Sequence, residues 1–136
     1  AASSNTVGDD QAAEELKAVA VAARAANVAF YRAFNARDAI AMGSLLAGGG
    51  VVCECTHPDK PRVQGREAIL SSWELIFSGP TVPKIEVVNA HVLLATSQGA
   101  VVVCTEEYNT GGFLEATNTF ARGAGGALYM VGHQAG

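Results

Sequence analysis

Residues 85–135 read IEVVNAHVLLATSQGAVVVCTEEYNTGGFLEATNTFARGAGGALYMVGHQA, and this stretch decides the fold. Four β-rich runs lie in it, Ile85 to Ala95, Ala100 to Tyr108, Phe113 to Arg122 and Ala127 to Ala135. Ser97-Gln98-Gly99, Asn109-Thr110-Gly111-Gly112 and Gly123-Ala124-Gly125-Gly126 separate them. Gly and Asn at such points are the chemistry of hairpin turns. Connections this short leave only antiparallel neighbours, because a parallel crossover needs a dozen or more residues. The C-terminal half is therefore predicted to be a four-stranded antiparallel meander.

Upstream the hydrophobic period changes. From Ala12 onward, Leu16, Val19, Ala20, Ala23, Phe30 and Phe34 recur at three- and four-residue steps, with Asn27 on the same stripe. That spacing places one apolar face on a long helix, which the many alanines favour, running to Asn35 or Ala36. Asp38 is placed to cap a second, short helix through about Ala47, and Gly48-Gly49-Gly50 stops it. Val51 to Thr56 reads as a short strand, succeeded by His57-Pro58 and a polar loop to Gln64. Gly65-Arg66-Glu67 opens a third helix that carries Ile69, Leu70, Trp73, Ile76 and Phe77 on one side. Residues 1–10 are small and polar and read as a flexible tail, leaving 11–136 as a single domain. Helices ahead of an antiparallel sheet define an α+β fold with the helices on one face.

The chain has 136 residues, 49% of them hydrophobic and 16% charged, which suits one domain with a proper core. Its net charge of −4 and nine scattered basic residues exclude nucleic acid as a partner, since phosphate binding needs clustered Lys and Arg. No apolar run approaches the length of a membrane span, so no membrane partner is expected. The cysteines Cys53, Cys55 and Cys104 are odd in number and lack metal spacing. Buried free thiols in a reducing compartment are the expectation. The sequence opens Ala1-Ala2-Ser3 with no initiator Met. Removal of a transit peptide and a trimmed start both account for that. The expected location is soluble and intracellular, in the cytoplasm or, if a transit peptide was removed, in an organelle matrix or stroma.

Particular residues then carry a resemblance. The segment from Phe30-Tyr31 through Ala33-Phe34 to Asp38 resembles the first-helix signature of SnoaL-like proteins, of the nuclear-transport-factor-2-like superfamily. Val52-Cys53 with His57-Pro58, Gly65-Arg66-Glu67-Ala68-Ile69 and then Trp73, Ala116-Thr117-Asn118-Thr119-Phe120, and His133 in the closing strand continue it in order. The resemblance covers residues 14 to 135. It implies a cone in which three N-terminal helices pack on a curved, mainly antiparallel sheet around a pocket. It also implies dimerisation through the outer face of the sheet. The superfamily hosts isomerases, dehydratases, cyclases, transport factors and oligomerisation domains, so the fold alone assigns no activity. The sequence departs from relatives in its three glycines before the first strand, in Gly132-His133-Gln134 and in Leu128.

Candidate chemistry concentrates on seven residues. His57, at a strand end beside Pro58, is read as a rim imidazole able to act as base or acid, or as a histidine bonded to its own turn. His133, expected to share its strand face with Val131 and Ala135 if no bulge intervenes, is read as a pocket proton carrier or as a satisfied core histidine. Tyr31 offers a phenol to a substrate oxygen. These three are the catalytic candidates. Trp73, Phe30, Asn118 and Glu106 are the ligand-binding candidates, Trp73 doubling as core and Asn118 as a strand-pinning amide. Glu106 shares parity with Val102 and Cys104 and so faces inward, with pairing to Arg122 or Lys84 as its expected use. His91 is expected to be exposed, and the three histidines lack metal spacing, so neither metal nor cofactor is expected. Two readings stand side by side. One is a pocket for a small apolar or amphipathic molecule, with metal-free acid–base chemistry of isomerase, dehydratase or hydrolase type. The other is a non-catalytic homodimerisation or protein-association module. The residues leave open whether the domain is an enzyme.

Overall fold

A computed structural model describes residues 2–48 and 53–136, with side chains from residue 8 onward. Its first element, α1, spans Ala2–Asn35 and begins well ahead of Ala12, where the apolar period starts. Ala, Ser and Asn in those first residues do not stop a helix, and Gly8 costs only about 1 kcal/mol there. The predicted stripe engages the core from Val19 onward, through Ala23, Asn27, Phe30, Tyr31 and Phe34, whereas Leu16 is exposed.

The end of α1 is fixed by side-chain chemistry. Asn35 Nδ2 donates to Ile85 O at 2.8 Å, and Ile85 N donates to Asn35 Oδ1 at 2.9 Å, tying the helix to the start of the meander. Helix α2, Ala39–Leu45, starts at its expected cap, where Ala41 N donates to Asp38 Oδ1 at 2.9 Å. Gly49 to Val52, which include part of the predicted glycine stop and first strand, lie outside the described residues. The chain then forms β1, Glu54–Thr56, and β2, Val63–Gln64, the latter in the segment read as a polar loop. Helix α3, Arg66–Phe77, buries Ile69, Trp73 and Phe77.

The meander is as expected: β3, Ile85–Thr96; β4, Gly99–Tyr108; β5, Phe113–Arg122; and β6, Leu128–Ala135. The sheet order is β2-β1-β6-β5-β4-β3, with every pairing antiparallel except that of β1 with β6. Alternation in β4 is strict: Ala100, Val102, Cys104 and Glu106 are buried, while Val101, Val103 and Thr105 face the other side and are half-buried.

Irregularities bend the sheet. In β3 the register shifts between Val88 and His91, where Asn89 takes a positive φ of 55°. In the β5–β6 pair Thr119 opposes Gly132 but Phe120 opposes Met130, so Val131 is the extra residue of a bulge. This corrects the expected parity of β6. Val131 does not share the inner face with His133; the bulge turns Met130 inward in its place, and Met130, His133 and Ala135 are all buried. Among the described residues no helix is long and apolar enough to cross a membrane.

Candidate active site in the cone

A cavity of about 160 Å³ lies between the helices and the inner face of the sheet. Phe30, Tyr31 and Phe34 of α1 and Trp73 of α3 form its aromatic walls, with Tyr108 and Glu106 contributed by β4 and His133 by β6. His57 stands after β1, and Pro58, Ile76, Pro83, Ile85 and Ala135 complete the lining. No Lys or Arg is among the lining residues. Phe30 meets Tyr31 and Trp73 edge-to-face, at centroid distances of 4.9 and 5.7 Å. Such contacts fix the ring planes beyond what area burial alone would do.

One polar chain crosses this apolar interior. Tyr31 Oη donates to Glu106 Oε2 at 2.6 Å, and Tyr108 Oη donates to Glu106 Oε1 at 2.7 Å. With its only proton committed to the carboxylate, Tyr31 Oη accepts from Asn118 Nδ2 at 3.1 Å. The same Nδ2 donates to Asn27 Oδ1 at 2.8 Å. Asn118 Oδ1 is thereby left as an acceptor, and it lies 2.5 Å from His133 Nδ1. Nδ1 must carry the proton, which leaves the lone pair on Nε2. Nε2 has no hydrogen-bond partner among the described residues, and no shielded side-chain nitrogen there lacks one. Nε2 is therefore not fully shielded, and the His133 ring is among the residues lining the cavity.

The second imidazole is set by similar arithmetic. Ser72 Oγ gives its proton to Ile69 O at 2.6 Å, so it accepts from His57 Nε2 at 2.8 Å. His57 Nδ1 is left unprotonated, 3.7 Å from the Cys55 thiol. His57 is not at a rim as its place beside Pro58 implied. It is 6% exposed, because Trp73 meets it edge-to-face at 4.5 Å and covers the strand end.

Burial sets the charges. His133 is lowered to about 3 by desolvation, with nearby His57 adding to the effect, so its ring is neutral at ordinary pH. His57 is lowered by desolvation as well. Tyr31 and Tyr108 are raised by burial and by the Glu106 charge, and both stay protonated. Glu106 is raised by burial, against which its two phenol hydrogen bonds act. The three cysteines are buried free thiols, and burial raises each of them, Cys55 to about 12.

The expected charge pairing of Glu106 is overturned. Arg122 Nε instead donates to Ser97 O at 3.0 Å, and Lys84 Nζ donates to Asn35 O at 3.0 Å. The two ion pairs among the described residues, Lys17 with Glu14 and Arg62 with Glu54, do not involve Glu106. Residue 106 lies on the inner face with aromatic neighbours, and the long cationic side chains lie where water reaches them.

Of the seven residues singled out in the sequence, six line the cavity. Asn118, 0% exposed, stands behind them and links α1, β5 and β6. His91 is exposed, as expected. Sequence reasoning passed over Tyr108, Asn27 and Ser72. Tyr108 was findable, since it sits two residues from Glu106 in β4 and therefore on the same face. Asn27 was visible as an amide on an apolar stripe. Ser72 carried no signal. Among the described residues no cluster of three or more His, Cys, Asp or Glu side chains could hold a metal ion. A larger cleft of about 500 Å³ between α2 and the β5–β6 turn is open, and its two cations are engaged with backbone, Arg66 with Leu46 O and Arg122 with Ser97 O.

The SnoaL-like domain family matches residues 23–134, and the chain belongs to that family. A Streptomyces avermitilis protein named as a candidate dehydratase of the NTF2-like family is 30% identical. It aligns with a TM-score of 0.72 over 81% of this chain and 88% of that one. A Thiobacillus denitrificans protein named as a candidate calcium/calmodulin-dependent protein kinase type II association domain is 28% identical, with a TM-score of 0.73 over 82% and 91% of the two chains. A ketosteroid isomerase-like protein from Erwinia carotovora atroseptica, 21% identical, shares the fold at a TM-score of 0.65 over 88% and 93%. No curated protein matches the sequence.

Proposed function

We propose that the cavity binds a small, largely apolar molecule and performs metal-free acid–base chemistry on it, of isomerase or dehydratase type. The observation that carries this is His133, held through Nδ1 by Asn118, with no hydrogen-bond partner on Nε2 among the described residues and its ring lining a cavity of about 160 Å³. A cavity of this size is comparable to engineered ones that take benzene, so the ligand has about six to eight non-hydrogen atoms. His133 is the proton acceptor. Its low ground-state pKa means that proton uptake must accompany an anion forming beside it, such as an enolate, whose charge raises the imidazole again. Tyr31 and Glu106 stand at the other end of the polar chain, where the Tyr31 proton is held by Glu106 and is not offered to a ligand oxygen. His57 and Trp73 close the side near Pro58. The name carried by the Streptomyces relative accords with this class of reaction.

The test is deuterium exchange at the carbon α to the carbonyl of cyclohexanone in D₂O. The wild-type protein should accelerate it and His133→Asn, which keeps a donor for Asn118 Oδ1, should not. Equal exchange by both proteins would remove His133 from the chemistry.

A homodimer through the outer sheet face is the second reading, and it is compatible with the first. Outward-facing Leu94, 58% exposed, pairs with Val101, and Val103 lies in register with His91 and Thr117. Apolar residues on both faces of one sheet are more than a monomer with a wet outer face requires. The relative named as an association domain gives this reading further support.

A further inference from the structure

We infer that the ligand of the cone cavity carries a positive charge, an ammonium group seated against Glu106 with its apolar body among the aromatic walls. This rests on the reading of the cavity as a ligand site and adds the chemical class.

Three observations lead there. Glu106 lines the cavity, is 2% exposed, and accepts one phenol hydrogen bond on each carboxylate oxygen. Each oxygen has a second lone-pair direction, so the group retains acceptor capacity after both tyrosines are counted. These two O–H donors favour the anion against the burial that raises the carboxyl.

The second observation is that no counter-ion comes from the chain. No Lys or Arg lines the cavity, and both imidazoles are uncharged. A buried carboxylate without a cation is costly, and a cation brought by the ligand offsets that cost. An anionic ligand would instead place like charges together in a desolvated space.

The third is the wall. Tyr31 and Tyr108, which hold the carboxylate, are themselves cavity residues, and Phe30, Phe34 and Trp73 line it with them. Aromatic faces attract cations, and a ring cage with a carboxylate at its base is a chemically sound receptor for a small amine. The His133 lone pair lies along the same cavity, available to an O–H, N–H or acidic C–H elsewhere on that ligand.

The experiment compares cyclohexylamine, cyclohexanol and cyclopentanecarboxylate near neutral pH, with binding followed by calorimetry and by the fluorescence of Trp73. Cyclohexylamine should bind at least tenfold more tightly than cyclohexanol, with no binding of the carboxylate. In Glu106→Gln, which keeps an acceptor for one tyrosine, the amine and the alcohol should bind within about twofold of each other. Cyclohexanol binding as well as or better than the amine in the wild type would overturn the cation inference while leaving the ligand cavity intact. Binding of none of the three would overturn both. The wild-type comparison decides the matter even if Glu106→Gln does not fold.

Discussion

Replacing His133 with Asn should change how stability depends on pH, because of where the imidazole sits. In the unfolded chain it takes a proton near 6.5, whereas in the folded protein it remains neutral down to about 3. Between those limits the unfolded state binds more protons, so stability rises with pH, is complete above about 6.5, and is lost as pH falls toward 3. The limiting slope is about 1.4 kcal/mol per pH unit, giving about 2 kcal/mol between pH 6.5 and 5 and a ceiling on the order of 5 kcal/mol. His57, also lowered by burial, contributes in the same direction. Glu106, raised by burial, contributes in the opposite one, since on acidification the folded form takes up its proton before the unfolded chain does. Wild type and His133→Asn share the Glu106 contribution and the burial of His57, so their difference reads His133 together with its smaller coupling to His57. Urea unfolding followed by Trp73 fluorescence at half-unit steps from pH 7 to pH 4.5 measures it. The wild type should lose its stability relative to the variant by about 2.5 kcal/mol over that span. Parallel pH profiles would overturn the prediction, because they would mean that folding does not desolvate the ring.

Three further outcomes are expected. Asn118→Ala removes the amide that serves Asn27, Tyr31 and His133 and leaves buried polar atoms unpaired, so urea unfolding should show a loss of about 2–5 kcal/mol; a loss below about 1 kcal/mol would contradict the hydrogen-bond chain. Leu94→Arg puts a charge on the outer face of β3, and sedimentation at micromolar concentration should show a dimer for wild type and a monomer for the variant, whereas a monomeric wild type would end the dimer reading. The thiols of Cys53, Cys55 and Cys104 are buried and their pKa values are raised, so a disulfide reagent at pH 8 should label the folded protein far more slowly than the urea-unfolded chain.

The meander was legible because its strands are bounded by Gly-rich and Asn-rich turns, and its period is two from Ala100 to Glu106. Parity alone turned Glu106 inward, and the structure agrees. Parity failed where it had to, at the β6 bulge, since the extra residue Val131 is marked by nothing local and exists because β5 and β6 bend together. The two-residue strand β2 is too short to show a period and is defined by its pairing with β1. The polar chain was visible as residues but not as a chain. Asn27, Tyr31, Glu106, Asn118 and His133 come from four elements, and only tertiary packing brings amide to phenol to carboxylate. Pairing with Arg122 or Lys84 was a fair expectation for a glutamate in a strand. It failed because two tyrosines reach Glu106 on its buried face.

The ring nitrogens of His133 offer the clearest view of the arrangement. Long-range proton–nitrogen NMR at pH 7 should show a neutral ring protonated at Nδ1, with Nε2 bare and shifting when a small ligand is added. An imidazolium, or a neutral ring with its proton on Nε2, would contradict that arrangement.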